Sequence, residues 1–217
     1  MCGIAGVIRF DGAPVEPTLL AAMAAQLVHR GPDGSGVWVD GSIGLAHRRL
    51  SIIDLAGSPQ PMASVDGRLH LTFNGEILNY RELRSRSRYP FRTDGDTEVL
   101  LAGFHEHGPG FVSRLRGQFA YAVHDGRDGS LWLFRDRLGV LPLYYWHDGR
   151  RLAFASEIKA LLPALPHAPG VDPLGLEAYL AHRSVPAPDT LFTGVHKLLP
   201  GHSLHATADG RVHVTAW

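Results

Sequence analysis

One cysteine, Cys2, is all that the 217 residues contain, which excludes an internal disulfide and a cysteine-based zinc site. Net charge is lacking too. The 21 basic residues balance 21 acidic ones, which argues against a nucleic-acid or anionic-membrane surface as the main partner. No apolar run approaches the about 18 residues that a membrane helix requires. The first residues have no basic n-region and the apolar stretch from Ile4 to Ile8 is short, so no secretory leader is expected. Internal repeats and low-complexity tracts are absent as well. With 45% hydrophobic residues, the composition suits one globular domain in the cytoplasm. A chain of this length buries about 70% of its unfolded surface and needs no covalent or metal staple.

What is present is a run of short elements. Residues 7–10 read as a first strand stopped by the Asp11-Gly12 turn. Pro17 opens a helical stretch that places Leu19, Leu20, Met23 and Leu27 on one face and ends near Gly31. Strand-like runs follow at 37–39, 43–47 and 69–73. Asn79 and Glu82 have capping-box spacing ahead of a helix, and Asp96 precedes another over 97–107 with Gly108 as its stop. The second half reads as strands at 119–125, 131–136, 143–147 and 152–156, separated by Asp-Gly and Gly-rich turns. Residues 157–162 look helical, the proline-rich stretch 162–173 irregular, 175–183 helical, and 203–217 a final hairpin. Strands in runs with helices grouped between them predict an α+β fold whose sheets are covered by helices.

The position of the cysteine directs the chemistry. If Met1 is removed, as a small second residue permits, Cys2 carries a thiol and a free α-amine on one carbon. Their ordinary pKa values, about 8.5 and about 7.7–8.0, allow the amine to accept the thiol proton near neutrality and return it to a leaving group. One residue then holds both nucleophile and base. Asn74-Gly75, at the end of a predicted strand, offers a side-chain amide and an adjacent backbone N–H as oxyanion donors, although the same dipeptide also reads as a plain hairpin turn. Arg49 lies beside an apolar run, where a guanidinium needs a carboxylate partner. Asp96 reads as an N-cap and equally as an acid for an ammonium. An arginine for a carboxylate and one or two acids for an ammonium together make an amino-acid clamp. His105 and His107 flank Glu106, but residues two apart on a helix point away from each other, so no metal site is expected there.

The ordered set of motifs is more specific than any of its members. Cys2-Gly3-Ile4-Ala5-Gly6, HRGPDGSG (29–36), HRRLSIID (47–54), FNGEILNY (73–80), GDTEVLL (95–101), GQFAYAVHD (117–125), FRDRLGVLPLYY (134–145) and ASEIKALL (155–162) follow one another along the chain. Over residues 2–217 this resembles the glutaminase domain of glutamine-dependent asparagine synthetases, a class II glutamine amidotransferase domain. Other class II amidotransferases usually read RG-[YQ]-DS where this chain has Arg30-Gly31-Pro32-Asp33, and the related β-lactam synthetases have lost the cysteine. The resemblance implies a four-layer αββα sandwich of the N-terminal-nucleophile hydrolase type. It also implies that Cys2 forms a γ-glutamyl thioester, that Asn74 and the Gly75 N–H form the oxyanion hole, and that Arg49 holds the glutamine α-carboxylate. Glu76 and Asp96 are then expected to hold the α-ammonium, with Leu50, Ile52 and Ile53 lining the pocket. Glutamine as substrate is fixed by the resemblance alone.

The synthetase half of such enzymes carries an ATP-binding Ser-Gly-Gly-x-Asp-Ser loop, and these 217 residues contain none. No cofactor is therefore expected in this chain, ATP and magnesium belonging to a missing synthetase domain or a separate synthetase that accepts the ammonia. A homodimer is one assembly open to it. Two other readings compete: a non-catalytic domain that keeps the fold to dock a synthetase, and a hydrolase of another γ-amide.

Overall fold

Gly3, not Val7, begins the first strand, and β1 (Gly3–Arg9) is buried on both faces. The computed structural model describes residues 1–50 and 58–217. After β1 come α1 (Pro17–Ala25), β2 (Gly34–Asp40), β3 (Ile43–Arg49), β4 (Met62–Ala63) and β5 (Leu69–Ile77). Two helices follow, α2 (Tyr80–Arg86) and α3 (Asp96–His107), the latter running into a 3-10 turn over Gly108–Arg114. Then β6 (Gly117–Asp125), β7 (Ser130–Arg135), β8 (Tyr144–His147), β9 (Arg151–Ala155) and α4 (Ile158–Leu161) succeed one another. The chain closes with α5 (Pro173–His182), β10 (Val195–Lys197), β11 (His202–Ala206) and β12 (Val212–Ala216).

Among the described residues the strands form two six-stranded sheets, ordered β10-β8-β9-β1-β3-β2 and β12-β11-β7-β6-β5-β4. The alternation of side chains along each strand sorts the apolar residues into three interfaces. Ile4 and Ile8 of β1 face inward with Leu45, Ala120, Ala122 and Leu133, filling the space between the sheets. Ala5 and Val7 point the other way and pack with Leu20 and Met23 of α1. On the second sheet Phe119, Tyr121 and Val123 turn outward onto Val99, Leu100 and Phe104 of α3. Three apolar interfaces make four layers, α on β on β on α, as the resemblance implies. Full burial of such side chains stabilises by roughly 1.5–3 kcal/mol each. Gly6 leaves room for the ring of Phe154, its cross-strand partner on β9, since a Cβ there would lie 2.4 Å from that ring.

Several elements differ from the sequence reading, each for a local reason. The regular part of α1 stops at Ala25, and backbone bonds from Leu27, Arg30 and Gly31 carry the chain through turns to the expected end. Asn79 makes no capping hydrogen bond to α2. Its amide is drawn away, donating to the Arg114 carbonyl at 3.0 Å and accepting from the Arg116 N–H at 2.9 Å. Glu82 pairs instead with Arg86 at 3.1 Å, one turn along the helix. α5 starts two residues early because Pro173 suits a first helical position and Asp172 caps it, accepting from the Gly175 N–H at 2.7 Å. The final hairpin forms as β11 and β12, paired from His202–Ala216 to Ala206–Val212.

Candidate active site

Antiparallel pairing brings the expected site residues to one end of the sandwich. β1 pairs with β3 so that Gly3 lies opposite Arg48, which sets Cys2, just before β1, beside Arg49 and Leu50 at the far end of β3. On the other sheet β5 runs antiparallel to β6, with Asn74 opposite Ala120, Gly75 opposite Phe119 and Glu76 opposite Gln118. Between these strand ends lies a cavity of about 110 Å³, several times the ~10–15 Å³ that holds one water. Cys2, Arg49, Leu50, Asn74, Gly75, Glu76 and Asp96 all line it. Ile52 and Ile53 lie outside the described residues. Met1 stands at the same cavity, 57% exposed.

The thiol is held by backbone. The Leu50 N–H donates to Cys2 Sγ at 3.4 Å, and Sγ lies 3.6 Å from the Leu50 carbonyl oxygen. Burial pushes the thiol above its ordinary pKa, while the Leu50 N–H, the terminal ammonium and Arg49 pull against it. The backbone of Cys2 is fixed as well. Arg30 Nε donates to the Cys2 carbonyl at 2.9 Å, and Arg30 Nη1 donates to Glu157 at 3.1 Å. Two residues further on, the Ile4 N–H donates to Ser156 Oγ at 3.0 Å.

Across the cavity, Asn74 is fully buried, and neither Nδ2 nor Oδ1 has a hydrogen-bond partner among the described residues. Buried polar atoms without partners are rare in folded proteins. An amide so placed, lining a cavity beside a thiol, presents its N–H groups to whatever fills that cavity. Gly75 follows at φ +151°, and a Cβ there would stand 2.2 Å from the Gln118 carbonyl oxygen, so only glycine lets β5 lie this close to β6.

Asp96 is the first residue of α3, and the N-cap position belongs to Gly95. The carboxylate reaches across to β5 and accepts from the Ile77 N–H at 3.0 Å, so it joins helix to strand at the cavity wall. Burial raises its pKa above its ordinary value, the neighbouring Glu76 adds to the rise, and the Ile77 N–H opposes it. Among the described residues the cavity thus carries one guanidinium and two carboxylates around a thiol and an unpaired amide.

Sequence reasoning gave no role to Arg30, Ser156 or Glu157, although the motifs at 29–36 and 155–162 contain them. The bonds from Arg30 to Glu157 and from Ile4 to Ser156 each span more than 120 residues of chain, so no local pattern announces them. Gln60 was also missed. It lines the cavity, accepts from the Phe73 N–H at 2.6 Å and donates to Thr97 Oγ1 at 3.4 Å, tying β5 to α3.

The family described as "Glutamine amidotransferase domain" matches residues 1–217. Asparagine synthetase [glutamine-hydrolyzing] 1 of Bacillus subtilis is 39% identical over 220 residues, covering 98% of this chain and 34% of its own length. Asparagine synthetase B [glutamine-hydrolyzing] of Escherichia coli is 41% identical over 167 residues, covering 75% of this chain and 30% of its own. The chain therefore spans about a third of the length of these relatives. Among solved structures, glutamine phosphoribosylpyrophosphate amidotransferase from B. subtilis superposes with a TM-score of 0.69 at 19% identity. That match covers 99% of this chain and 49% of the other, a likeness of fold.

Proposed function

The chain belongs to the class II glutamine amidotransferases, and from that premise we propose that it hydrolyses the side-chain amide of glutamine and passes the ammonia to an ATP-dependent synthetase domain or partner. The observation that carries this reading is the buried, unpartnered Asn74 amide facing Cys2 across one cavity. A domain kept only for docking has no use for it.

In the proposed reaction Met1 is removed and the freed amine of Cys2 takes the thiol proton. The thiolate attacks the amide carbon, and the oxyanion that forms is held by Asn74 Nδ2–H and the Gly75 N–H. Loss of one such donor typically costs ~3–4 kcal/mol of barrier. Collapse of the tetrahedral species breaks the C–N bond, the Cys2 ammonium protonates the leaving nitrogen, and ammonia departs from a γ-glutamyl thioester. Water, deprotonated by the same amine, then cleaves the thioester to glutamate and restores the thiol. Arg49 holds the α-carboxylate, and Glu76 and Asp96 hold the α-ammonium. Leu50 fixes the sulfur through its backbone. Nucleophile, base and oxyanion donors all come from the chain, so this half-reaction calls for no cofactor. ATP and magnesium belong with the acceptor, and the relatives named asparagine synthetase support a synthetase that makes asparagine. A cytoplasmic setting is part of the same proposal.

The test is ammonia release from glutamine by protein lacking Met1, with intact mass confirming the N-terminus. Cys2→Ala abolishes release if the reading is right. Residual turnover in Cys2→Ala removes Cys2 as the nucleophile, and rapid turnover of another γ-amide with little of glutamine reassigns the substrate.

A further inference from the structure

The site is divided between two sheets. Cys2 and Arg49 stand on the β1–β3 side, Asn74 to Glu76 on β5, and the sheets are separated by apolar side chains at the usual ~10 Å spacing. Apolar packing is non-directional, so it sets that spacing more firmly than it sets the lateral alignment of one sheet on the other. A polar tie crosses the gap next to the site. His47 Nδ1 lies 3.1 Å from Thr72 Oγ1, and Thr72 Oγ1 donates to the Ala46 carbonyl at 3.3 Å. Thr72 has a single hydroxyl hydrogen. The arrangement that pairs Nδ1, the hydroxyl and the Ala46 carbonyl has Nδ1–H donating to Thr72, which leaves His47 Nε2 a bare acceptor.

That Nε2 has no partner among the described residues, on a side chain only 1% exposed. A ring needed only to fill space would be apolar, since an unpaired buried nitrogen is unfavourable. Acid–base work does not explain it either. His47 does not line the cavity, its Nδ1 is engaged, and burial together with Arg49 holds the imidazole neutral by pushing its pKa down to about 3. Alternation along the strands supplies the remaining role. Arg49 follows His47 by two residues on β3, and Asn74 follows Thr72 by two on β5, so both lie about 7 Å up the same strand faces.

We propose that His47 is a positioning residue: through Thr72 it locks β3 against β5 and so fixes the oxyanion donor Asn74 relative to Cys2. The inference rests on the glutamine-hydrolysing reading above. A lateral slip of the sheets would move the oxyanion donor away from the carbon that Cys2 attacks. Such a displacement is felt in the transition state more than in substrate binding.

The experiment measures kcat and KM for glutamine, and thermal stability, in Met1-free full chain carrying His47→Phe, Thr72→Val, Thr72→Ser or the His47→Phe/Thr72→Val pair. Misplacements near 1 Å cost up to about 100-fold, so kcat in His47→Phe and Thr72→Val is expected to fall at least about tenfold. KM is expected to stay within about threefold, because the clamp itself is intact. Thr72→Ser keeps the hydroxyl and holds wild-type kcat, and the double variant is no worse than its worse single, since both remove one tie. Unchanged kcat with only a lowered melting temperature overturns the proposal, as does a KM that rises in step with any loss of kcat. If His47→Phe does not fold, the contrast of Thr72→Val with Thr72→Ser decides alone. A wild-type protein that releases no ammonia removes the reading and this inference together, whereas active wild type with unaffected variants removes the inference alone.

Discussion

Asp96 is expected to bind substrate at a cost to stability. Its carboxyl is buried and its pKa raised, so the folded protein holds the proton more tightly than the unfolded chain does. Between the unfolded and the folded value the native state binds more protons, and stability falls as pH rises through that window. Above it the whole penalty is in force. Asp96→Asn keeps an acceptor for the Ile77 N–H and removes the charge. The variant is expected to melt higher than wild type at pH 7, with the difference vanishing below the carboxylate range, while KM for glutamine rises. Thermal melts across pH, set beside steady-state kinetics, check both halves, and a melting temperature below wild type at pH 7 contradicts the burial argument. Arg49→Ala tests the opposite pole of the clamp. A hydrogen bond to a charged group is worth ~1.5–3 kcal/mol, so KM should rise by roughly one to two orders of magnitude. An unchanged KM takes Arg49 out of the clamp.

At the scale of elements, the start of β1 is gripped by Arg30, from the turns after α1, and by Ser156, the residue after its neighbour β9. Arg30 spends Nε on the Cys2 carbonyl and Nη1 on Glu157, a fork that lysine cannot reproduce. Arg30→Lys is therefore expected to lower kcat about tenfold with the circular dichroism spectrum intact, because the nucleophile's backbone is displaced while the fold is not. Wild-type kcat in that variant would show that the β1–β3 pairing alone holds Cys2. The same contact shows what was legible in the sequence. Helix α3, the strands β6 and β7 and the closing hairpin were readable because periodicity and turn residues are local. The capping box at Asn79 was a false signal: the pattern was local, but Arg114 and Arg116 compete for the amide and win. Asp96 was found as a helix-start residue, yet its bond to β5 lies 19 residues away and has no local mark. Arg30 and Gln60 act by contacts of the same long-range kind. Asn74 was recognisable as a candidate donor, whereas its lack of any competing partner is a property of packing.

For the whole molecule, four layers place the chemistry where both sheets end, so every layer bears on it. The hairpin β11–β12 is remote in sequence from Cys2, but β11 pairs with β7, and Leu204 and Ala206 join the inter-sheet interface. Removing residues 202–217 would uncover the β7 edge together with part of that interface. The truncated protein is expected to lose solubility or cooperative melting, an exposed edge over an open core being a template for association. Size-exclusion chromatography and calorimetry of the truncated chain check this. A monomer with a sharp transition would make the hairpin dispensable.

Met1 at the cavity also has a consequence for handling the protein. On the proposed mechanism, any handle fused ahead of Cys2 converts its amine into an amide and so leaves a folded protein without its base. Such a fusion is a silent twin of the active protein, identical in fold and cavity wall, which a site-specific protease switches on in the cuvette.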